Sequence, residues 1–150
     1  MIEPFHIDTT IRWSEIDLNG HTRNSAYLDL ASHCRISYFD KHGFSASEFA
    51  RLRIGPVVFK DEITYLKETH LGDSLRVNLM LAGLSPAGFR FALRNEFTRQ
   101  DGASAVIIHS QGAWLDIGRR KLTNPPKALF DVMNLMTRTP DFAELKDKQG

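Results

Sequence analysis

The residues best placed to do chemistry fall within one short stretch, Arg12 to Tyr27, which reads RWSEIDLNGHTRNSAY. Asp17 ends an extended apolar segment, Asn19-Gly20 reads as a turn, His21 follows it, and Asn24 is placed to cap a helix that begins there. A helix N-terminus presents unpaired backbone N–H groups and the positive end of the macrodipole. A carboxylate a few residues upstream of such an end suits attack on a polarised carbonyl. Asp17 can serve as general base on a water, or attack the carbonyl itself to give an acyl anhydride. Both routes are open to the same residue, and an aspartate that merely shapes the turn has the same spacing.

The neighbours carry paired readings. His21 can hydrogen-bond Asp17, orient water or touch substrate, or be a loop histidine with a structural bond. A side-chain cap at Asn24 would leave that residue's own N–H free for an oxyanion, and one preorganised donor of this kind contributes about 3–4 kcal/mol to catalysis. Asn19 and Gly20 form the turn, and Tyr27 on the first helical turn is core or pocket wall. Asp61, in a run with Phe59 and Ile63, is read on the same strand face as both. It either points inward and needs a partner or sits on an exposed edge. Arg119-Arg120-Lys121, with Arg53 and Lys60, could meet phosphates or be solvated loop charge. Cys34 lies on the apolar face of the helix and is read as packed core.

These groups need positioning, and the pattern supplies the elements. Residues 5–16 read as a first strand. From Ser25 to His42, Tyr27, Leu30, Ala31, Cys34 and Tyr38 recur at helical spacing, with Gly43 as the stop. Ser45 to Leu52 reads as a short helix capped by Ser45 or Ser47. After Pro56 the period becomes two: Leu75, Val77, Leu79 and Leu81 line one strand face, and Phe89, Phe91, Leu93 and Phe97 the next. Turns fall at Gly72-Asp73, Ser85 to Gly88 and Asp101-Gly102. Ala103 to Asp116 is apolar on both faces, as a central strand is. Lys127 to Met136 reads as a terminal helix, and residues 140–150 as a polar, frayed tail. One antiparallel sheet around one long apolar helix is the simplest packing.

The bulk numbers exclude several classes. The 150 residues suit one domain, 1–150, and are 42% apolar and 25% charged. A net charge of +1 gives no support for nucleic-acid or membrane-surface binding. No apolar run approaches the roughly 18 residues of a spanning helix. Cys34 is the lone cysteine, so no internal disulfide and no zinc cluster of cysteines can form. With no Gly-rich dinucleotide loop and no signal-peptide pattern, the expectation is a cytoplasmic protein without metal or cofactor.

The order of elements, with the DLNGH…N…Y stretch and the later YLKETHLGDSLRV, resembles the hot-dog thioesterase superfamily over roughly residues 5–125. The resemblance is to the 4-hydroxybenzoyl-CoA thioesterase branch and to the WSEIDLNGHTRN-like segment of acyl-ACP thioesterases. It implies an α+β hot-dog fold, a five-stranded antiparallel sheet wrapped around one long central helix, with residues 126–150 as an appended helix and tail. It implies hydrolysis of an acyl-CoA or acyl-ACP thioester, with Asp17 as the catalytic aspartate and the Asn24 N–H polarising the carbonyl. Asn19 and His21 match polar positions of the acyl-ACP branch, Gly20 matches the loop glycine, and the strand carrying Phe59 and Asp61 matches one that borders the acyl pocket. A homodimer or homotetramer is expected, with coenzyme A or an acyl carrier as part of the substrate. A hydratase branch with Asp-x-Asn-x-x-His fits less well, because here one residue fewer precedes His21. Another branch uses a glutamate inside the helix, where this chain offers only Asp29 and Asp40. The rival from a different class is a non-catalytic acyl-thioester-binding or sensing module.

Overall fold

The computed structural model describes residues 3–147. The chain runs β1 (Phe5–Thr10), a short 3-10 turn (Trp13–Glu15), α1 (Asn24–Lys41), α2 (Ala46–Leu52), β2 (Ile54–Tyr65), β3 (Ser74–Leu84), β4 (Arg90–Arg99), β5 (Ser104–Asp116), β6 (Lys121–Thr123), α3 (Lys127–Asn134) and β7 (Arg138–Glu144). The sheet order is β1-β3-β4-β5-β2, antiparallel throughout, with β6 added to β5 and β7 to β3. No helix among the described residues is long and apolar enough to cross a membrane.

The period-two strands bury the faces expected of them except at Phe89, which lies in the turn before β4 and is half-buried. Leu75, Val77, Leu79 and Leu81 of β3, Phe91, Leu93 and Phe97 of β4, and Val106 and Ile108 of β5 are all buried. Onto them α1 lays Tyr27, Leu30, Ala31, Cys34, Tyr38 and Phe39, its residues at spacings of three and four. Tyr27 meets Phe97 edge-on at 5.2 Å between ring centroids, and Phe39 meets Trp114 at 5.8 Å. Cys34 lies 3.5 Å from the Val77 carbonyl, and burial pushes its thiol pKa up to about 12, so it is a core residue and no nucleophile.

Four expectations need correction. The sheet has seven strands among the described residues, not five, while the three α-helices stand where the pattern put them, their ends shifted by one or two residues. The tail is no frayed end: β1 covers the β3 edge only from Ser74 to Leu79, and β7 pairs parallel with the remainder, Leu81 to Leu84, satisfying backbone groups left open there. Residues 148–150 of that tail lie outside the described residues. The first strand stops at Thr10, where the chain bends into the 3-10 turn that buries Glu15. Arg23, not Asn24, is the N-cap of α1, and no side chain caps it. The Arg23 N–H donates to the Glu15 carbonyl at 2.7 Å, which keeps Arg23 extended and makes Asn24 the first helical residue. Ser45 does cap α2, accepting from the Glu48 N–H at 3.2 Å.

The strand β2 forms one edge of the sheet, with β5 as its only strand neighbour among the described residues. A register shift between Val58 and Lys60 sets Phe59 out of the alternation, so Phe59 does not share a face with Asp61 and Ile63. Phe59 is 53% exposed, with the Arg90 guanidinium over its ring. Asp61 stands opposite Ser110 and accepts its hydroxyl at 2.5 Å.

Candidate active site

The Asp17 loop is a miniature hairpin. Ile16 bridges Thr22, the Asp17 N–H donates to the His21 carbonyl at 2.7 Å, and Leu18, Asn19 and Gly20 make the loop between them. Gly20 has φ of +78°, the left-handed position that closes a three-residue loop of this type. The Asp17 carboxylate is then fixed from within: Oδ1 accepts the Asn19 N–H at 2.8 Å and the His21 N–H at 3.0 Å. Its Oδ2 has no hydrogen-bond partner among the described residues. One oxygen holds the turn and the other is free to take a proton.

A second segment, residues 66–70, is stitched to this loop. His21 pairs with His70 in an antiparallel bridge, and the Thr22 N–H donates to the Thr69 carbonyl at 2.8 Å. Beneath the bridge lies a buried chain of hydroxyls, with Thr22 Oγ1 at 2.6 Å and Tyr27 Oη at 2.7 Å from Thr69 Oγ1. Tyr27 is therefore wall, its hydroxyl already committed. The His21 imidazole turns to Glu68, with Nε2 at 2.7 Å from Oε2, and it is the backbone of His21 that reaches Asp17.

These pieces enclose an open cavity of about 270 Å³ lined by Asp17, His21, Thr22, Asn24, Tyr27, Tyr65, Leu66, Lys67, Glu68 and Thr69. Four of the expected site residues meet there: Asp17, His21, Asn24 and Tyr27. The Asn24 side chain makes no cap, and as the first residue of α1 its N–H has no intrahelical acceptor. Asn19 and Gly20 serve as the turn, and Phe59 and Asp61 do not line this cavity. Thr22, Tyr65 and Leu66 line it without having been singled out, and so do Lys67, Glu68 and Thr69. In sequence the last three are polar positions between two strands, and only the long-range bridge to residues 21–22 brings them to the site.

A second cavity, about 400 Å³ and mostly apolar, lies further along the same helix among Ile36, Phe39, Phe44, Phe49, Val58 and Trp114, with Arg35 in its wall. The Arg35 guanidinium donates to Asn95 Oδ1 at 3.0 Å and Ser110 Oγ at 2.6 Å, which joins it through Ser110 to Asp61. Burial lowers the Arg35 pKa, and the Asp61 charge opposes that shift. Asp61 is exposed on the β2 edge, the second of its two readings, and shares Ser110 with Arg35.

A sequence profile described as the thioesterase-like superfamily matches residues 11–133. Among solved structures, a hypothetical protein of Staphylococcus aureus in complex with CoA is 22% identical with a TM-score of 0.83, covering 91% of this chain and 87% of that one. A 1,4-dihydroxy-2-naphthoyl-CoA thioesterase from Synechocystis is 15% identical with a TM-score of 0.79, covering 89% and 97%. At these identities the likeness is one of fold. No curated protein matches the chain by sequence. With the profile spanning the Asp17 hairpin, α1 and strands β2 to β6, the chain belongs to the thioesterase-like superfamily and has its hot-dog fold.

Proposed function

We propose that the protein hydrolyses an acyl-CoA thioester, with Asp17 as general base and the N-terminus of α1 as the oxyanion site. The observation that carries this is the Asp17 carboxylate, pinned through one oxygen by two amides and free at the other, in the cavity that also holds Asn24. Asp17 takes a proton from water as the water oxygen bonds to the thioester carbon. The charge that develops on the carbonyl oxygen is met by the Asn24 N–H and the helix dipole. Collapse breaks the C–S bond, and the leaving thiolate takes the proton back. Direct attack by Asp17 would pass through an anhydride at the same carbon. The chemistry asks for no metal or redox cofactor.

The acyl chain is assigned to the apolar cavity further along α1. Helix rise of about 1.5 Å per residue puts Ile36 roughly 18 Å beyond Asn24, a span that suits a medium or long chain over a short one. Lys67, at the mouth, is the cation placed to meet a phosphate of the carrier. CoA is favoured as carrier by the CoA-bound relative and by the neighbours named as CoA thioesterases.

Thiol release from short, medium, long and aromatic acyl-CoAs tests the reading. Release favouring medium or long chains is expected. Acyl-CoA that binds and is recovered intact would instead make the protein a binding module.

A further inference from the structure

We propose that His21, Glu68 and His70 form a binding site for one divalent transition-metal ion of the zinc class. The three side chains come from two segments held in fixed register. His21 and His70 face each other across an antiparallel bridge, which sends both side chains to the same side, and Glu68, two residues before His70, reaches both rings. The Glu68 carboxylate sits between the rings, with Oε2 at 2.7 Å from His21 Nε2 and Oε1 at 3.5 Å from His70 Nε2. One ligand atom from each of the three lies within 4.8 Å of the others.

A tetrahedral ion would draw these atoms somewhat closer than that limit. Metal–ligand bonds of about 2.0–2.2 Å place neighbouring ligand atoms roughly 3.3–3.6 Å apart. The His70 pair already meets this, and the His21 pair needs only a small retreat of a carboxylate that is 56% exposed. Two neutral imidazoles and a carboxylate are a donor set zinc accepts, leaving a fourth position for water. The other nitrogen of His70, Nδ1, stands 3.6 Å from Asp73 Oδ2, and that carboxylate also accepts the His70 N–H at 2.8 Å. A carboxylate behind a ligating histidine orients the ring with Nε2 toward the ion. The ion would tie the Asp17 hairpin to residues 66–70 without using Asp17, whose carboxylate is held by amides. The site does not depend on the hydrolytic reading.

Cobalt(II) is the probe, because a tetrahedral site gives it strong visible absorption. Chelator-treated protein is titrated with Co²⁺, Zn²⁺ is then added in competition, and the melting temperature is measured with and without Zn²⁺. The expected result is one ion per chain, a tetrahedral spectrum that Zn²⁺ abolishes, and a melting temperature raised by Zn²⁺. Glu68→Gln and His70→Gln, both checked for native circular dichroism, should each weaken binding at least tenfold and lose the Zn²⁺ shift. The absence of stoichiometric binding by the unmodified protein would overturn the site. So would binding unchanged in both folded variants.

Discussion

At the scale of single residues, the Asp17 carboxylate is oriented by the chain that carries it. Its Oδ1 is fixed by the Asn19 and His21 amides, and the turn that places those amides depends on the left-handed Gly20. This separates the two parts of His21. The backbone holds Asp17 while the imidazole serves Glu68. Replacing His21 by Ala keeps the amide, so turnover should fall only several-fold, read from steady-state kinetics; a loss as deep as that from removing Asp17 would place the imidazole in the chemistry. The carboxylate, turn and helix start were legible in RWSEIDLNGHTRN because they are local. The direction of the His21 ring was not, since its partner Glu68 is 47 residues away and is brought to it by the bridge between His21 and His70.

At the scale of elements, the sheet and α1 share a polar rivet inside an otherwise apolar contact. Asn95 is fully buried on β4, donates to the Asn78 carbonyl at 2.7 Å and accepts from Arg35. Asn95→Leu would strip a partner from a half-buried guanidinium and should destabilise the fold by about 1–3 kcal/mol in urea titrations. Unchanged stability would mean that Arg35 finds solvent instead. The alternation of Leu75 to Leu81 and Phe91 to Phe97 made the strands readable, because burying one face of a strand imposes that period. Asn95 occupies the same inward alternation as a polar residue, so its role emerged only with Arg35 and Ser110 beside it. Likewise β7 was invisible as a strand: residues 138–144 have no apolar alternation, and pairing with the open edge of β3 decides their conformation.

At the scale of the whole molecule, the β2 edge left unpaired among the described residues and the open cavity belong to one question. Twelve residues of strand carry Val58 and Tyr65 exposed at 45% and 49%, an edge that invites another strand. Pairing with a second copy would cover this edge and the Val58 side of the apolar cavity. Light scattering should therefore give at least twice the 17.0 kDa chain mass, and Val58→Asp with Phe59→Lys should shift the protein toward monomer and reduce turnover. A wild-type monomer with full activity would contradict that assembly. The family was legible from one hairpin and the order of elements, whereas the acyl group was not, because Arg35, Phe39, Val58 and Trp114 converge on its proposed pocket from separate elements. The most direct test of the function is the single-turnover rate of thiol release by wild-type and Asp17→Asn protein on the best acyl-CoA, with fold and mass checked in both. Loss of general-base catalysis should slow release by at least about 10²-fold while substrate still binds; release at the wild-type rate would contradict the assignment of Asp17.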